Sequence, residues 1–245
     1  MKVLITGSSK GIGLEIANYF FKKGAKVLLN SRNKKQLISI NKKIKNSSIY
    51  PFDVENQKIT EKNLAYIFKK EKKIDTIICN VGSGSIVNNN QIGSDYFNKV
   101  FKKNFMSTFN IVEFLRKNKK FRNIQIICIS SICGVERIDG APVYYSVAKS
   151  ALNVYVKMVS NLIVESNCRI NLVIPGNILF KNSTWEKKLK KSKLKTLNYI
   201  NKHVSTKQFG KPENISSLCW FLSKKSNSYI NGSSFIIDGG QVKSF

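Results

Sequence analysis

The chain has 245 residues, of which 42 are Lys or Arg and 14 are Asp or Glu, giving a formal charge of +28. At that length it reads as one domain over residues 1–245, large enough for a full α/β core, and no apolar run is long enough to cross a bilayer. The lysines are scattered rather than gathered in one arm, which points to solvated surface and against a nucleic-acid or membrane partner.

Lys2-Val3-Leu4-Ile5-Thr6 reads as a short apolar strand at the very start of the chain, so no signal peptide is expected there. It runs into Gly7-Ser8-Ser9-Lys10-Gly11-Ile12-Gly13 and then into an amphipathic helix from Leu14 to Phe20. Strand, glycine turn and helix form the context that a dinucleotide pyrophosphate needs. Glycines let the backbone approach the phosphates, and the helix N-terminus offers free N–H groups and a positive dipole end. Gly24 ends the helix, and Ala25–Asn30 is a second strand closing at Ser31-Arg32-Asn33. An acid at that point would bond the 2′-hydroxyl of NAD and repel a 2′-phosphate. Ser31 followed by Arg32 suits the 2′-phosphate of NADP instead, with Lys10 as a second cation.

Ser48–Val54 reads as a third strand and its exit, with Asp53 at the tip, and Glu61–Lys70 as a helix. Ile74–Cys79 is a buried strand ending in Asn80-Val81-Gly82-Ser83-Gly84. Tyr96–Leu115 is one long helix carrying Asn104 near its middle. Asn123–Ser130 is the next strand, leading into Ser131-Ile132-Cys133-Gly134. From Tyr145 the apolar residues Ala148, Ala151, Leu152, Tyr155, Met158, Val159 and Leu162 recur in steps of three and four, a helix with Pro142 just before it. Arg169–Ile174, ending at Pro175-Gly176, and Ser234–Gly240 are the last strands. Apolar strands alternating with helices predict a doubly wound, Rossmann-type parallel sheet with helices on both faces. The cysteines at 79, 128, 133, 168 and 219 have no metal spacing, and Cys79 and Cys128 read as small buried hydrophobes. No metal site is expected, and a reducing cytoplasm fits the free thiols.

Tyr145 and Lys149 stand four residues apart, on one face of the predicted helix. A cationic Lys149 beside the hydroxyl is expected to favour the phenolate and lower its pKa. Such a phenol can exchange a proton with a carbonyl or alcohol oxygen.

Taken in order, Thr6–Gly13, Asp53-Val54, Asn80-Val81-Gly82, Asn104, Ser131, Tyr145 with Lys149, Pro175-Gly176 and Asp238-Gly239-Gly240 resemble the short-chain dehydrogenase/reductase family over essentially the whole chain. The resemblance implies a sheet of about seven strands and hydride transfer between NADP(H) and a carbonyl or alcohol substrate. It makes Tyr145 the general acid/base. Lys149 binds the nicotinamide ribose, tunes the tyrosine and joins a proton relay. Ser131 bonds the substrate oxygen, and Asn104 holds the relay water. It assigns cofactor contacts to Gly7, Ser9, Lys10, Gly11, Ile12, Gly13, Ser31, Arg32, Asp53, Val54, Asn80, Gly82, Tyr145, Lys149, Pro175, Gly176 and Ile178. It also implies a homodimer or homotetramer built on the helices Tyr96–Leu115 and Tyr145–Glu165.

The chain departs from the family pattern in places. Cys79-Asn80-Val81-Gly82 replaces the usual Asn-Asn-Ala-Gly, and the step from Ser131 to Tyr145 is 14 residues, one longer than is common, which leaves Ser130 as the fallback. The segment 176–209 falls where family members carry a substrate lid. Here it holds Trp185, many lysines in Glu186-Lys187-Lys188-Leu189-Lys190-Lys191, and also His203, which the tyrosine chemistry does not need. A basic lid suits an anionic substrate such as a nucleotide-linked sugar, a phosphorylated metabolite or a carrier-protein thioester; a solvated lysine helix over a packed Trp185 is the plainer alternative. Pro175–Lys188 resembles reductases of polysaccharide and glycan pathways more than 3-oxoacyl-carrier-protein reductases. The expected substrate is therefore a sugar or nucleotide-sugar, with a 3-oxoacyl-carrier-protein as the alternative. A non-catalytic dinucleotide-binding protein is a further alternative, opposed by the intact set Asn104, Ser131, Tyr145 and Lys149.

Overall fold

The computed structural model describes residues 1–84 and 92–244. Strands β1 (Lys2–Ile5), β2 (Lys26–Ser31), β3 (Ser47–Pro51), β4 (Thr76–Cys79), β5 (Gln125–Ile129), β6 (Arg169–Pro175) and β7 (Ser234–Ile237) form one seven-stranded sheet in the order β3-β2-β1-β4-β5-β6-β7. Every neighbouring pair is parallel. The helices are α1 (Gly11–Lys22), α2 (Lys34–Lys43), α3 (Gln57–Glu71), α4 (Ser94–Phe101), α5 (Ser107–Lys117), α6 (Val143–Val159), α7 (Thr184–Lys191), α8 (Lys193–His203) and α9 (Pro212–Leu222). This is the predicted Rossmann-type architecture.

Successive strand residues point to opposite faces, and both faces are covered, so the strands read as continuous apolar runs. Leu4, Leu28, Ile77, Ile126 and Leu172 pack under α3, α5 and α6. Val3, Val27, Ile78, Ile127 and Val173 pack under α1, α2 and α9. Cys79 and Cys128 face each other in register between β4 and β5, and both are buried. Among the described residues no helix is long and apolar enough to cross a membrane, and no cluster of ligating side chains could hold a metal. The strand order reverses between β1 and β4. That switch opens a crevice at the carboxyl ends of the strands.

Several expected boundaries are corrected. Tyr96–Leu115 is not one regular helix: a π-helical turn over Lys102–Met106 separates α4 from α5. The wider turn keeps the chain helical, so the apolar spacing hides it. The helix carrying Tyr145 ends at Val159, not Glu165, and a 3-10 turn at Val164–Ser166 follows. Met158 and Leu162, which continue the apolar rhythm of this helix, are exposed. The last strand stops at Ile237, because Gly239 and Gly240 turn to φ of +70 and +78.

The ends of the strands opposite the crevice are tied by one carboxylate. Glu71, at the end of α3, accepts hydrogen bonds from Lys26 Nζ at 2.7 Å and Tyr50 Oη at 2.6 Å, with Lys2 Nζ at 3.3 Å. Its partners come from β1, β2 and β3. Burial pushes the Glu71 carboxyl up, but the bonds from Lys26, Tyr50 and Lys2 outweigh it and hold the pKa at about 2 against an ordinary 4.5. The folded value is depressed, so this stabilisation is full above pH 4.5 and is lost as pH falls toward 2. At roughly 1.4 kcal/mol per pH unit it amounts to about 3 kcal/mol. Glu71→Gln should therefore lower unfolding free energy by about that amount at pH 7 and by far less near pH 2. Urea titrations at the two pH values check this; a penalty independent of pH would refute it.

Candidate active site

The crevice is built from loop ends. The turn between β1 and α1 is left-handed at Gly7 and at Gly11 (φ +64 and +58). A Cβ on Gly13 would stand 2.5 Å from the Gly7 carbonyl oxygen, so only glycine lets α1 start this close to the turn. No side chain caps α1 and no acid lies in its first turn, which leaves its N–H groups and dipole available to an anion. The Asn80 backbone N–H donates to Thr6 Oγ1 at 3.0 Å, and its Nδ2 donates to the Thr6 carbonyl at 3.1 Å and the Gly7 carbonyl at 3.3 Å. The turn is thus braced from β4. These features fit a dinucleotide pyrophosphate.

The other residues assigned to a cofactor also sit at strand ends around this crevice. Ser31 and Arg32 close β2, Asp53 and Val54 follow β3, Gly82 follows β4, and Pro175, Gly176 and Ile178 close β6. Arg32 is exposed, and its guanidinium lies 3.6 Å from both Asp53 and Glu55. Phe180, just past Ile178, leans over the turn: its ring comes 2.7 Å from where a Cβ on Gly11 would stand.

At the other end of the crevice four side chains converge. Asn104 lies inside the π turn, buried. Its Oδ1 accepts from the Ser83 N–H at 2.8 Å, and its Nδ2 donates to the Val100 carbonyl at 3.0 Å. Asn104 Oδ1 and Lys149 Nζ stand 3.0 and 3.1 Å from the point a Cβ on Gly82 would occupy. Ser131 precedes a 3-10 turn at Ile132–Gly134, and its Oγ accepts from the Cys133 N–H at 3.2 Å. The same hydroxyl reaches the Tyr145 phenol. Ser130 points elsewhere, donating to Asn153 Oδ1 on α6 at 2.5 Å. The longer loop is therefore absorbed without displacing Ser131.

One electrostatic expectation is corrected. Lys149 does not lower the Tyr145 pKa here. Burial pushes the phenol up, the Cys133 thiol adds to this, and the Ser131 bond opposes it. Lys149 Nζ lies 6.0 Å from the Tyr145 ring centroid and donates to the Ile129 carbonyl at 2.9 Å. Burial also lowers the lysine's own pKa to about 8, only partly offset by the Cys128 and Cys133 thiols. The two groups are pushed toward their neutral forms together, because both have been taken out of water.

The segment over this end holds α7 and α8. Trp185 stacks against Tyr199 and Phe209 with centroids at 5.3 and 5.4 Å, and Lys188 Nζ stands 4.4 Å from the Trp185 centroid. Trp185 is thus half-buried on the lysine-bearing helix α7, its ring set against α8 and Phe209. Tyr199 Oη accepts from Gln241 Nε2 at 3.1 Å, linking α8 to the tail after β7. Among the described residues His203 makes a ring contact with Tyr199.

A family model described as "Enoyl-(Acyl carrier protein) reductase" matches residues 7–241, nearly the whole chain. The chain belongs to the short-chain dehydrogenase/reductase family. This short-chain dehydrogenase/reductase is 31% identical to the 3-oxoacyl-(acyl-carrier-protein) reductase FabG of Buchnera aphidicola over 96% of its own length and 95% of the relative's. It is 30% identical to the enzyme of the same name from Rickettsia conorii over 98% and 95%. Among solved structures it resembles L-sorbose reductase from Gluconobacter frateurii complexed with NADPH and L-sorbose, at TM-score 0.87 and 25% identity, covering 100% of this chain and 97% of that one. The family is one of oxidoreductases that use nicotinamide cofactors on small molecules, and this member is an enzyme of that type.

Some residues that shape the site of this short-chain dehydrogenase/reductase have no signal in the sequence. Asn30 Nδ2 donates to the Tyr50 and Phe52 carbonyls, and Asn110 Nδ2 to the Val54 carbonyl, fixing the Asp53-Val54 loop from below. Neither has a local signal, since each acts across 20 or more residues of sequence. Lys103, next to Asn104, is a third.

Proposed function

We propose that the protein reduces a ketone to an alcohol with NADPH. The observation that carries this reading is the convergence of Tyr145, Ser131, Lys149 and Asn104 at the end of a crevice whose other end presents Lys10 and Arg32. The dinucleotide, when bound, supplies the hydride to the carbonyl carbon. Ser131 donates a hydrogen bond to the carbonyl oxygen as negative charge grows there. Tyr145 gives that oxygen its proton. Burial raises the Tyr145 pKa, so the phenol keeps its proton until the more basic alkoxide oxygen develops beside it. Lys149 holds the ribose and returns a proton to the phenol, and Asn104 positions the water that refills the lysine.

For the substrate, relatives at 31% and 30% identity over nearly their whole length support a 3-oxoacyl thioester more than a sugar. The lysines of α7 suit the acidic carrier that such a thioester rides on. A ketose is the second reading, favoured by the likeness to L-sorbose reductase. NADPH oxidation measured with acetoacetyl thioesters and with a panel of ketoses separates them: turnover confined to ketoses would overturn the thioester reading, and no NADPH turnover with any ketone would overturn the function.

The cofactor preference rests on Arg32 and Lys10. Arg32→Asp should weaken NADPH binding by about ten- to a hundredfold, the value of a lost charged hydrogen bond, and strengthen NADH binding. Calorimetry showing tighter NADH binding by the unaltered protein would remove this reading.

Assembly is proposed as a homodimer or homotetramer. Val147, Val154, Met158 and Leu162 line an outer face at α6 and are 45–69% exposed, more apolar surface than a lone helix usually leaves in water. Sedimentation should show at least a dimer at micromolar concentration; a monomer would contradict the proposal.

A further inference from the structure

The π turn places a lysine where the sequence assigns no function. Lys103 is half-buried between α4 and α5, one residue before Asn104. With Arg32, Glu55 and Lys99 at one side and Ser83 and Asn104 at the other, it lines a recess of about 170 Å³ between the end of β2 and the loop after β4. Its electrostatic surroundings come from three separate loops. Glu55 and Asp53 attract its ammonium, and Arg32 and Lys10 repel it. Among the described residues Lys103 Nζ makes no ion pair, whereas Arg32 lies 3.6 Å from both acids.

The charges can be set against one another. Lys10, Arg32, Lys99 and Lys103 surround Asp53 and Glu55, four positive charges against two negative. The cluster therefore keeps two positive charges in excess of its carboxylates. A half-buried ammonium without a close ion pair is stabilised by an anion that enters beside it. The pyrophosphate belongs at the start of α1, and the reacting end belongs at Tyr145. The remaining adenosine half of a dinucleotide runs toward the end of β2, where this recess lies.

We propose that Lys103 is a specificity residue that binds the 2′-phosphate of NADP(H) from the side opposite Arg32. The inference rests on the NADP(H) reading above and deepens it. Arg32, held between two acids, bonds the phosphate from one side, and Lys103 with Lys10 adds positive charge from the other.

The probes are 2′,5′-ADP and 5′-AMP, which differ by that phosphate alone and need no turnover. Calorimetry is run on the full chain and on Lys103→Met, with Lys103→Gln as a second neutral variant and Lys103→Arg as the charge-conserving one. Urea midpoints confirm that each is folded. The unaltered protein should prefer 2′,5′-ADP. Both neutral variants should lose about tenfold or more in 2′,5′-ADP affinity while 5′-AMP changes by less than about twofold, and Lys103→Arg should retain most of the binding. Equal losses for both ligands would overturn the proposal by assigning Lys103 to adenine or to packing. So would unchanged 2′,5′-ADP binding in a protein that still prefers it. A protein that does not prefer 2′,5′-ADP at all would instead overturn the NADP(H) reading itself, and this proposal with it.

Discussion

Replacing Tyr145 by Phe should lower turnover by about 10²–10⁴-fold, the usual worth of a positioned acid, while NADPH affinity stays within a few-fold. The ring packs beside Gly84, its carbons 3.5–3.6 Å from where a Cβ there would stand, and Phe keeps that contact. Only the hydroxyl is lost, and with it the proton donor and the partner of Ser131. Ser131→Ala should behave similarly but less severely, because one of two donors to the growing charge remains. Ser130→Ala should leave turnover nearly intact and cost some stability, because its hydroxyl is committed to Asn153. Stopped-flow NADPH oxidation with single-turnover analysis checks the set. A Tyr145→Phe variant that retains most of its rate would exclude the tyrosine as the acid, and a damaging Ser130→Ala would move the donor by one residue.

What was legible in the sequence follows from where each signal is stored. The strands could be read because burial on both faces makes each a continuous apolar run, as in Ile77-Ile78-Cys79 and Ile126-Ile127-Cys128. The glycine turn and the Tyr145–Lys149 pair could be read because their chemistry lies within a few consecutive residues. Helix α2 could not, since Leu37 is its one buried residue and its pattern is mostly lysine and polar. The π turn was hidden because the extra residue leaves a helical apolar rhythm on both sides of Asn104. The neutralising shifts on Tyr145 and Lys149 were not readable for a different reason. Spacing shows that two groups are near each other, but only the packed fold shows how far both are from water. Arg32 is similar: its partners Asp53 and Glu55 lie across β3, and no local motif announces them.

Lys149→Met should abolish most turnover and yet make the fold more stable at neutral pH. The lysine is 3% exposed, and burial takes its pKa from 10.5 to about 8. The folded value lies below the unfolded one. Below pH 8 both states are protonated, and the native state bears the full cost of a buried charge. Between pH 8 and 10.5 the unfolded chain binds more protons than the native one, so stability rises with pH; above 10.5 that cost is gone. At roughly 1.4 kcal/mol per pH unit the penalty is about 3 kcal/mol. Methionine removes it, leaves the Ile129 carbonyl without its donor at a cost of about 1 kcal/mol, and so should gain about 2 kcal/mol at pH 7. The other lysines and tyrosines titrate in both proteins, so the quantity to measure is the difference between variant and parent in urea unfolding at pH 7 and pH 10.5. The gain should shrink or change sign at the higher pH. A variant less stable than its parent at pH 7 would show that Lys149 is held by favourable contacts. It would then not be a charge retained for catalysis at the expense of stability.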